Sequence, residues 1–202
     1  MKTIEIRRAS LRVKPEKKLS KQGVKLARAL APYLGGPYHA YYASTAKRSR
    51  ETLRALGFPT CHKVKAFAPL PDVFDRFERD LLAWQRHTGG SSLQGYLAIP
   101  EARERLEALG RRCLDEVLAI AKKLQPGGRA LVVSHSAVIE ALGMAAHPET
   151  DPSYVSDELR HLEGVALDIV DGVVSQLRIL RLPQEVVAGL VTHSSTPPET
   201  KS

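Results

Sequence analysis

Cysteine is nearly missing from this 202-residue chain. Cys61 and Cys113 are the only two, and their separation suits neither a disulfide framework nor a metal site, so two reduced, partly buried thiols are expected. Aromatic residues make up 5% of the sequence, with a single tryptophan. That leaves few platforms for stacking bases, and no nucleic-acid-binding motif accompanies the basic residues. No apolar run approaches the ~18–20 residues that a membrane span requires. The opening MKTIEIRR is interrupted by charge throughout and has no apolar signal-peptide core. His39, His62, His87, His147, His161 and His193 show no metal-ligand spacing and read as structural or exposed. Together these absences lead to the expectation of a cytoplasmic protein with no metal, no cofactor and no membrane partner.

What the chain does have is apolar content for one core and a surplus of positive charge. Hydrophobic residues are 43% and charged residues 26% of the total. A chain of this length suits one compact α/β domain and hardly two. Thirty Lys and Arg stand against 22 Asp and Glu, a net charge of +8 that favours anionic partners. Some of this charge is clustered. RVKPEKK (12–18) reads as a solvated basic face, and AKRSR (46–50) is a second run.

Along the chain, strand-like and helix-like segments alternate. Residues 3–7 read as a short strand, although Glu5 is unusual in a buried one. Ser20 is a candidate N-cap for a helix with Val24, Ala27, Leu30, Ala31 and Leu34 on one face, stopped at Gly35-Gly36. Residues 38–44 form a tyrosine-rich strand, and Ser44 is a candidate cap for a helix running towards Leu56 and ending at Gly57. CHKVKAF (61–67) is a third candidate strand. Residues 70–100 look like a lid or insertion in which Phe74, Phe77, Leu81 and Trp84 keep helical spacing, a stripe that reads as packing. A long helix from Glu101 to about Leu124 repeats apolar residues at 102, 106, 109, 113, 117, 120, 121 and 124. RALVVSH is the clearest buried strand, residues 137–146 form the helix after it, and GVALDIV and VVSQLRIL close the fold around a DG turn. Residues 1–182 make one domain, and the polar, Pro-rich 183–202 reads as a flexible tail.

Alternation of this kind predicts an α/β fold: a three-layer αβα sandwich with a mostly parallel central sheet and helices on both faces. In such sheets ligands bind beyond the carboxyl ends of the strands. Three places meet that rule: Arg7-Arg8 after the first strand, Ser44 to Arg48 after the second, and His135 after ALVVS. Two of them begin helices, whose free N–H groups favour anions. Arginines, a histidine and helix starts on one edge describe an oxyanion site, most simply for phosphate.

The order of these motifs resembles the histidine phosphatase superfamily, the phosphoglycerate-mutase-like proteins. That family opens with a strand ending in Arg-His-Gly and a helix start of the form LT..G..QA; here stand IRRA and LSKQGVKLA, with Leu26 in place of the glutamine. STAKRSRETL (44–53) matches the family's second segment through Ser44, Arg48 and Thr52, and LVVSHSAVIEAL matches its late Ser-His-Gly-Gly with His135 in register. The resemblance spans residues 3–182. It implies that Arg7 and Arg48 are the phosphate arginines, that His135 is the second histidine, and that Asp72, or less well Asp75, is the acid that protonates the leaving group. The family's nucleophilic histidine would fall at position 8, which is Arg8.

An arginine has no lone pair to offer at any ordinary pH, so Arg8 cannot form a phosphohistidine. It can add a cation and forked donors to a phosphate site. The expected function is therefore binding of a phosphorylated small molecule or phosphoprotein through Arg7, Arg8, Arg48 and His135, without the usual turnover. The alternatives are a phosphomonoester hydrolase or phosphohistidine phosphatase that uses His135, or water with Asp72 as acid, and a basic interaction protein. Nucleic acid is not the expected partner, and nothing in the residues separates monomer from dimer.

Overall fold

The computed structural model describes residues 1–13, 18–69, 71–148 and 159–191, with backbone alone for 71–75 and 189–191. Six strands, β1 (Lys2–Arg8), β2 (Ala40–Ser44), β3 (His62–Val64), β4 (Arg129–Ser134), β5 (Gly164–Val170) and β6 (Val173–Leu180), form one sheet in the order β3-β2-β4-β1-β5-β6. Neighbours are parallel from β3 to β1, β5 runs antiparallel to β1, and β6 runs antiparallel to β5. The helices are α1 (Lys21–Leu30), α2 (Lys47–Ala55), α3 (Pro71–Thr88), α4 (Ser92–Ala98), α5 (Pro100–Lys123), α6 (Ser136–Ala146) and α7 (Gln184–Val191). This is the expected αβα architecture.

Two apolar cores, one on each face of the sheet, account for the three layers. Ile4, Ile6, Val132 and Val165 pack with α5 and α6, while Leu131, Val133 and Ala43 pack with α1, α2 and Val186 of α7. The long-helix periodicity is met in full: Ala102, Leu106, Leu109, Cys113, Val117, Ile120, Ala121 and Leu124 are all buried. Helix α5 lies close against α6 because residue 110 is glycine; a Cβ there would meet the Ala141 carbonyl oxygen at 2.2 Å. The hairpin between β5 and β6 turns on Asp171 and Gly172, whose φ values of 50° and 82° match the left-handed turn expected of a DG pair.

Several local expectations shift. The buried face of α1 centres on Gly23, Leu26, Ala27 and Leu30 rather than on Val24, Ala31 and Leu34, with Ser20 Oγ accepting from Gly23 N–H as its cap. Ser44 does not cap α2. The N-cap is Ala46, because the Ser44 hydroxyl is turned to other partners described below. Residues 65–67 form a turn of 3₁₀-helix rather than extending β3. Residues 184–191, expected to belong to a flexible tail, form α7; residues 192–202 lie outside the described residues.

The buried Glu5, out of place in a strand on sequence grounds, is paired. Residues alternate faces along β1, so Glu5 and Arg7 share one face, opposite to Ile4, Ile6 and Arg8. Arg7 Nη2 donates to Glu5 Oε2 at 3.3 Å, and Arg129 Nη2 donates to Glu5 Oε1. Arg7 and Glu5 are 5% and 3% exposed. Removing one member of such a pair leaves the other charge stranded, which costs about 3–5 kcal/mol. Glu5→Ala should lose stability on that scale in urea denaturation at pH 7, and Glu5→Leu with Arg7→Met should recover much of it. A loss below about 1 kcal/mol for Glu5→Ala would contradict the assignment.

Candidate functional site

The register aligns the carboxyl ends of three strands. Arg8 pairs with Ser134, and Ala43 with Val133, so Arg8, Ser134 and Ser44 form a row across β1, β4 and β2. Beyond that row lies a cavity of about 830 Å³. Arg8, Arg12 and Arg48 line it together with His135, His161 and Glu140; Ser136 and Ala137 contribute from the first turn of α6. First-turn N–H groups have no carbonyl within their own helix to bind, so they are available to an anion. Ser92, Leu93 and Tyr96 of α4 form part of the wall, which places the segment read as a lid or insertion against the site.

His135 is fixed from both sides. Arg48 Nη2 donates to its Nδ1 at 2.8 Å, and since arginine can only donate, Nδ1 carries the lone pair. The proton is then on Nε2, which donates to Ser44 Oγ at 2.9 Å. Ser44 Oγ in turn donates to Ser49 Oγ at 2.8 Å and accepts from Ala46 N–H at 3.3 Å. Thr52, at the next turn of α2, donates to the Arg48 carbonyl at 2.9 Å and accepts from Ser10 N–H at 3.1 Å, tying α2 to the loop after β1. Burial, and then the nearby Arg48, Arg8 and Arg12 cations, push His135 down to about 3, so the ring is neutral at physiological pH.

The arginines repel one another. Arg48 is held below its ordinary range by burial first, and then by Arg12 and Arg8. Arg8 Nη1 donates to the Leu159 carbonyl. Glu140 is the only carboxylate among the described residues of the lining. Three guanidinium groups around one concave space, two neutral histidines and a helix start make an environment that an anion relieves.

Of the residues singled out from the sequence, the cavity brings together Arg8, Arg48 and His135. It does not include Arg7, whose guanidinium lies on the opposite face of the sheet with Glu5 and with the Leu162 carbonyl, to which Nη1 donates at 3.1 Å. The side chains of Asp72 and Asp75 lie outside the described residues. Among the described residues no group of three or more histidine, cysteine or acidic side chains could hold a metal, and no helix is long and apolar enough to cross a membrane.

Arg12, which reads from the sequence as part of a solvated basic face, lines the cavity, and His161 is a second site residue that sequence reasoning missed. Its spacing suggests a structural or exposed histidine, yet it lines the cavity. Its Nδ1–H donates to the Ala9 carbonyl at 2.9 Å. Burial first, and then Arg8, Arg48 and Arg12, lower its pKa against the opposing effect of the Ala9 bond. The signal that could have found it is the direction of β5: an antiparallel strand starts where its parallel neighbours end, so the residues just ahead of Gly164 arrive at the site edge.

The sequence profile described as histidine phosphatase superfamily (branch 1) matches residues 7–171. No curated protein matches the sequence. Solved structures do. A phosphoserine phosphatase from Entamoeba histolytica, in complex with 3-phosphoglyceric acid, superposes with a TM-score of 0.64 at 15% identity over 92% of this chain and 100% of that one. A phosphoglycerate mutase from Bacillus anthracis gives 0.62 at 18% identity over 92% and 95%. A mycobacterial glucosyl-3-phosphoglycerate phosphatase, complexed with VO3, gives 0.63 at 15% identity over 90% and 99%. At these identities the likeness is one of fold.

The lowered basicity of the buried His135 makes stability depend on pH. An unfolded histidine ionises near 6.5, and folded His135 near about 3. Between those values the unfolded chain binds a proton that the folded chain refuses, so stability is lost as pH falls through this window and is flat from this group above it. His161 acts in the same direction. The urea midpoint should therefore drop between pH 6.5 and 4.5, and His135→Gln should flatten that slope. An unchanged slope would mean that His135 is not held neutral.

Proposed function

From the premise that the chain belongs to the histidine phosphatase superfamily, we propose that its cavity binds the phosphoryl group of a phosphorylated small molecule or phosphoprotein. The observation that carries this reading is the convergence of Arg8, Arg12 and Arg48 on one cavity in which a single carboxylate is described. Arg48 is presented by the neutral His135, and Arg8 by the end of β1. The family's route through a phosphohistidine at the strand tip is closed in this reading. Residues 7–9 are Arg, Arg and Ala, and none of their side chains has a lone pair to attack phosphorus. Phosphoryl transfer leans on electrostatic stabilisation more than on covalent chemistry, so the cavity retains the larger part of what the reaction needs.

Hydrolysis by attack from His135 is the weaker reading, because both of its ring nitrogens are already engaged, with Arg48 and Ser44. A role as a basic interaction surface for nucleic acid is weaker still, since three arginines converge on one concave space and aromatic residues for stacking bases are few.

Calorimetric titration with inorganic phosphate and phenyl phosphate tests the proposal. Arg8→Ala and Arg48→Ala should each weaken binding by roughly 10- to 100-fold, the scale of a lost charge-assisted hydrogen bond worth about 1.5–3 kcal/mol. Because the arginines stay charged and His135 stays neutral, affinity should rise with pH as the ligand becomes a dianion near pH ~6–7. Affinity that instead fell through pH 6–7 would indicate a protonated histidine as the main ligand. Unchanged binding in both arginine variants would remove the cavity as the phosphate site.

A further inference from the structure

His161 has a position that the phosphate-binding reading does not use. Its imidazole lines the same cavity as Arg8, Arg48 and His135. The bond from Nδ1–H to the Ala9 carbonyl sets the tautomer: the proton is on Nδ1, so Nε2 carries the lone pair. Among the described residues Nε2 has no hydrogen-bond partner, in contrast to His135, where both nitrogens are taken.

The ring is rigidly mounted. Leu162 N–H donates to the Arg8 carbonyl at 3.0 Å, and Arg8 N–H donates to the Glu163 carbonyl at 2.7 Å. His161 is therefore stitched to the strand tip at residues 8 and 9. The buried Glu163 carboxylate closes the segment on itself, accepting from Arg160 N–H at 2.9 Å, Arg181 Nη1 at 3.1 Å and Leu182 N–H at 3.3 Å. Leu162 has a φ of 69°, a left-handed conformation costly for leucine and maintained only where the surroundings enforce it. Arg7 holds that turn by donating to the Leu162 carbonyl. The Arg7 bond, the left-handed Leu162 and the Glu163 bonds thus hold the backbone that carries His161 against the strand tip.

We propose that His161 Nε2 is the nucleophile of this site, so that a phosphomonoester bound by Arg8 and Arg48 is hydrolysed through a phosphohistidine at residue 161. The proposal rests on the phosphate-binding reading. In the first step the Nε2 lone pair bonds to phosphorus as the ester P–O bond breaks, and the leaving oxygen takes a proton from a water molecule. In the second step that hydroxide, or a water molecule that loses a proton to solvent where the leaving group departs as an anion, attacks phosphorus, the P–N bond breaks, and its electron pair returns to Nε2 as inorganic phosphate leaves. No oxidant or metal is needed. The lowered basicity of His161 keeps its lone pair available at neutral pH.

The test uses the full chain with para-nitrophenyl phosphate, whose leaving group departs as a phenolate. Four quantities are read: release of nitrophenolate, an acid-labile and alkali-stable phosphoryl group mapped by mass spectrometry, calorimetric binding of inorganic phosphate, and the thermal midpoint. The expected result is turnover by the unmodified chain, a phosphoryl group on the peptide containing His161, and activity falling to the buffer background in His161→Gln. His161→Asn supports the same conclusion with the fold protected, because its amide N–H can still donate to the Ala9 carbonyl. Both variants should bind inorganic phosphate within a few-fold of the unmodified chain. Turnover that survives either variant, or a phosphoryl group on another residue, overturns the inference. A chain that binds phosphate but neither turns over nor becomes phosphorylated overturns it while leaving the binding site standing. A chain that binds no phosphate overturns both.

Discussion

A β-strand cannot present two consecutive side chains to the same face, and the arrangement of this site follows from that constraint at Arg7 and Arg8. The two guanidinium groups leave β1 in opposite directions. Arg8 enters the cavity, while Arg7 enters the sheet face that carries Glu5. The Glu5 carboxylate makes the second direction tolerable, since an unpaired arginine could not remain there. Arg7 then reaches the Leu162 carbonyl and supports the turn from which His161 projects. One arginine contacts the cavity and the other supports its rim from behind.

The cavity itself is built against its own electrostatics. Arg8, Arg12 and Arg48 crowd together, and the histidines among them are held below their ordinary basicity by burial first and then by these cations. Hydrogen bonds keep the crowding in place: Thr52 links α2 to the loop after β1, and Ser44 fixes the His135 ring that orients Arg48. An anion in this space would neutralise the repulsion without having to reorganise the site, which is the condition under which preorganised charge is most effective.

Much of the fold is legible in the sequence because its signals are periodic. The α5 repeat from Ala102 to Leu124, the run ALVVS and the DG turn each have one physical explanation, and each forms where expected. Boundaries are less legible. Ser44 resembles a helix cap, but its hydroxyl is drawn to His135, a residue 91 positions away, and local chemistry cannot foresee that. Arg48 and His135 are legible through the rule that ligands sit beyond the carboxyl ends of parallel strands. His161 is not, because it precedes an antiparallel strand whose direction the residues alone do not declare. The side-chain alternation of β1 is a sequence-level signal too; applied to Glu5, Arg7 and Arg8, it is enough to send the two arginines to opposite faces.

The most direct measurement of the central claim is a crystal structure of the chain with orthovanadate, a mimic of the phosphoryl group in transfer. The account predicts vanadate within hydrogen-bonding distance of Arg8 and Arg48 and facing His161 Nε2, with Arg7 still paired to Glu5. Vanadate bound to Arg7 with the Glu5 pair broken, or a cavity left empty at saturating vanadate, would contradict it.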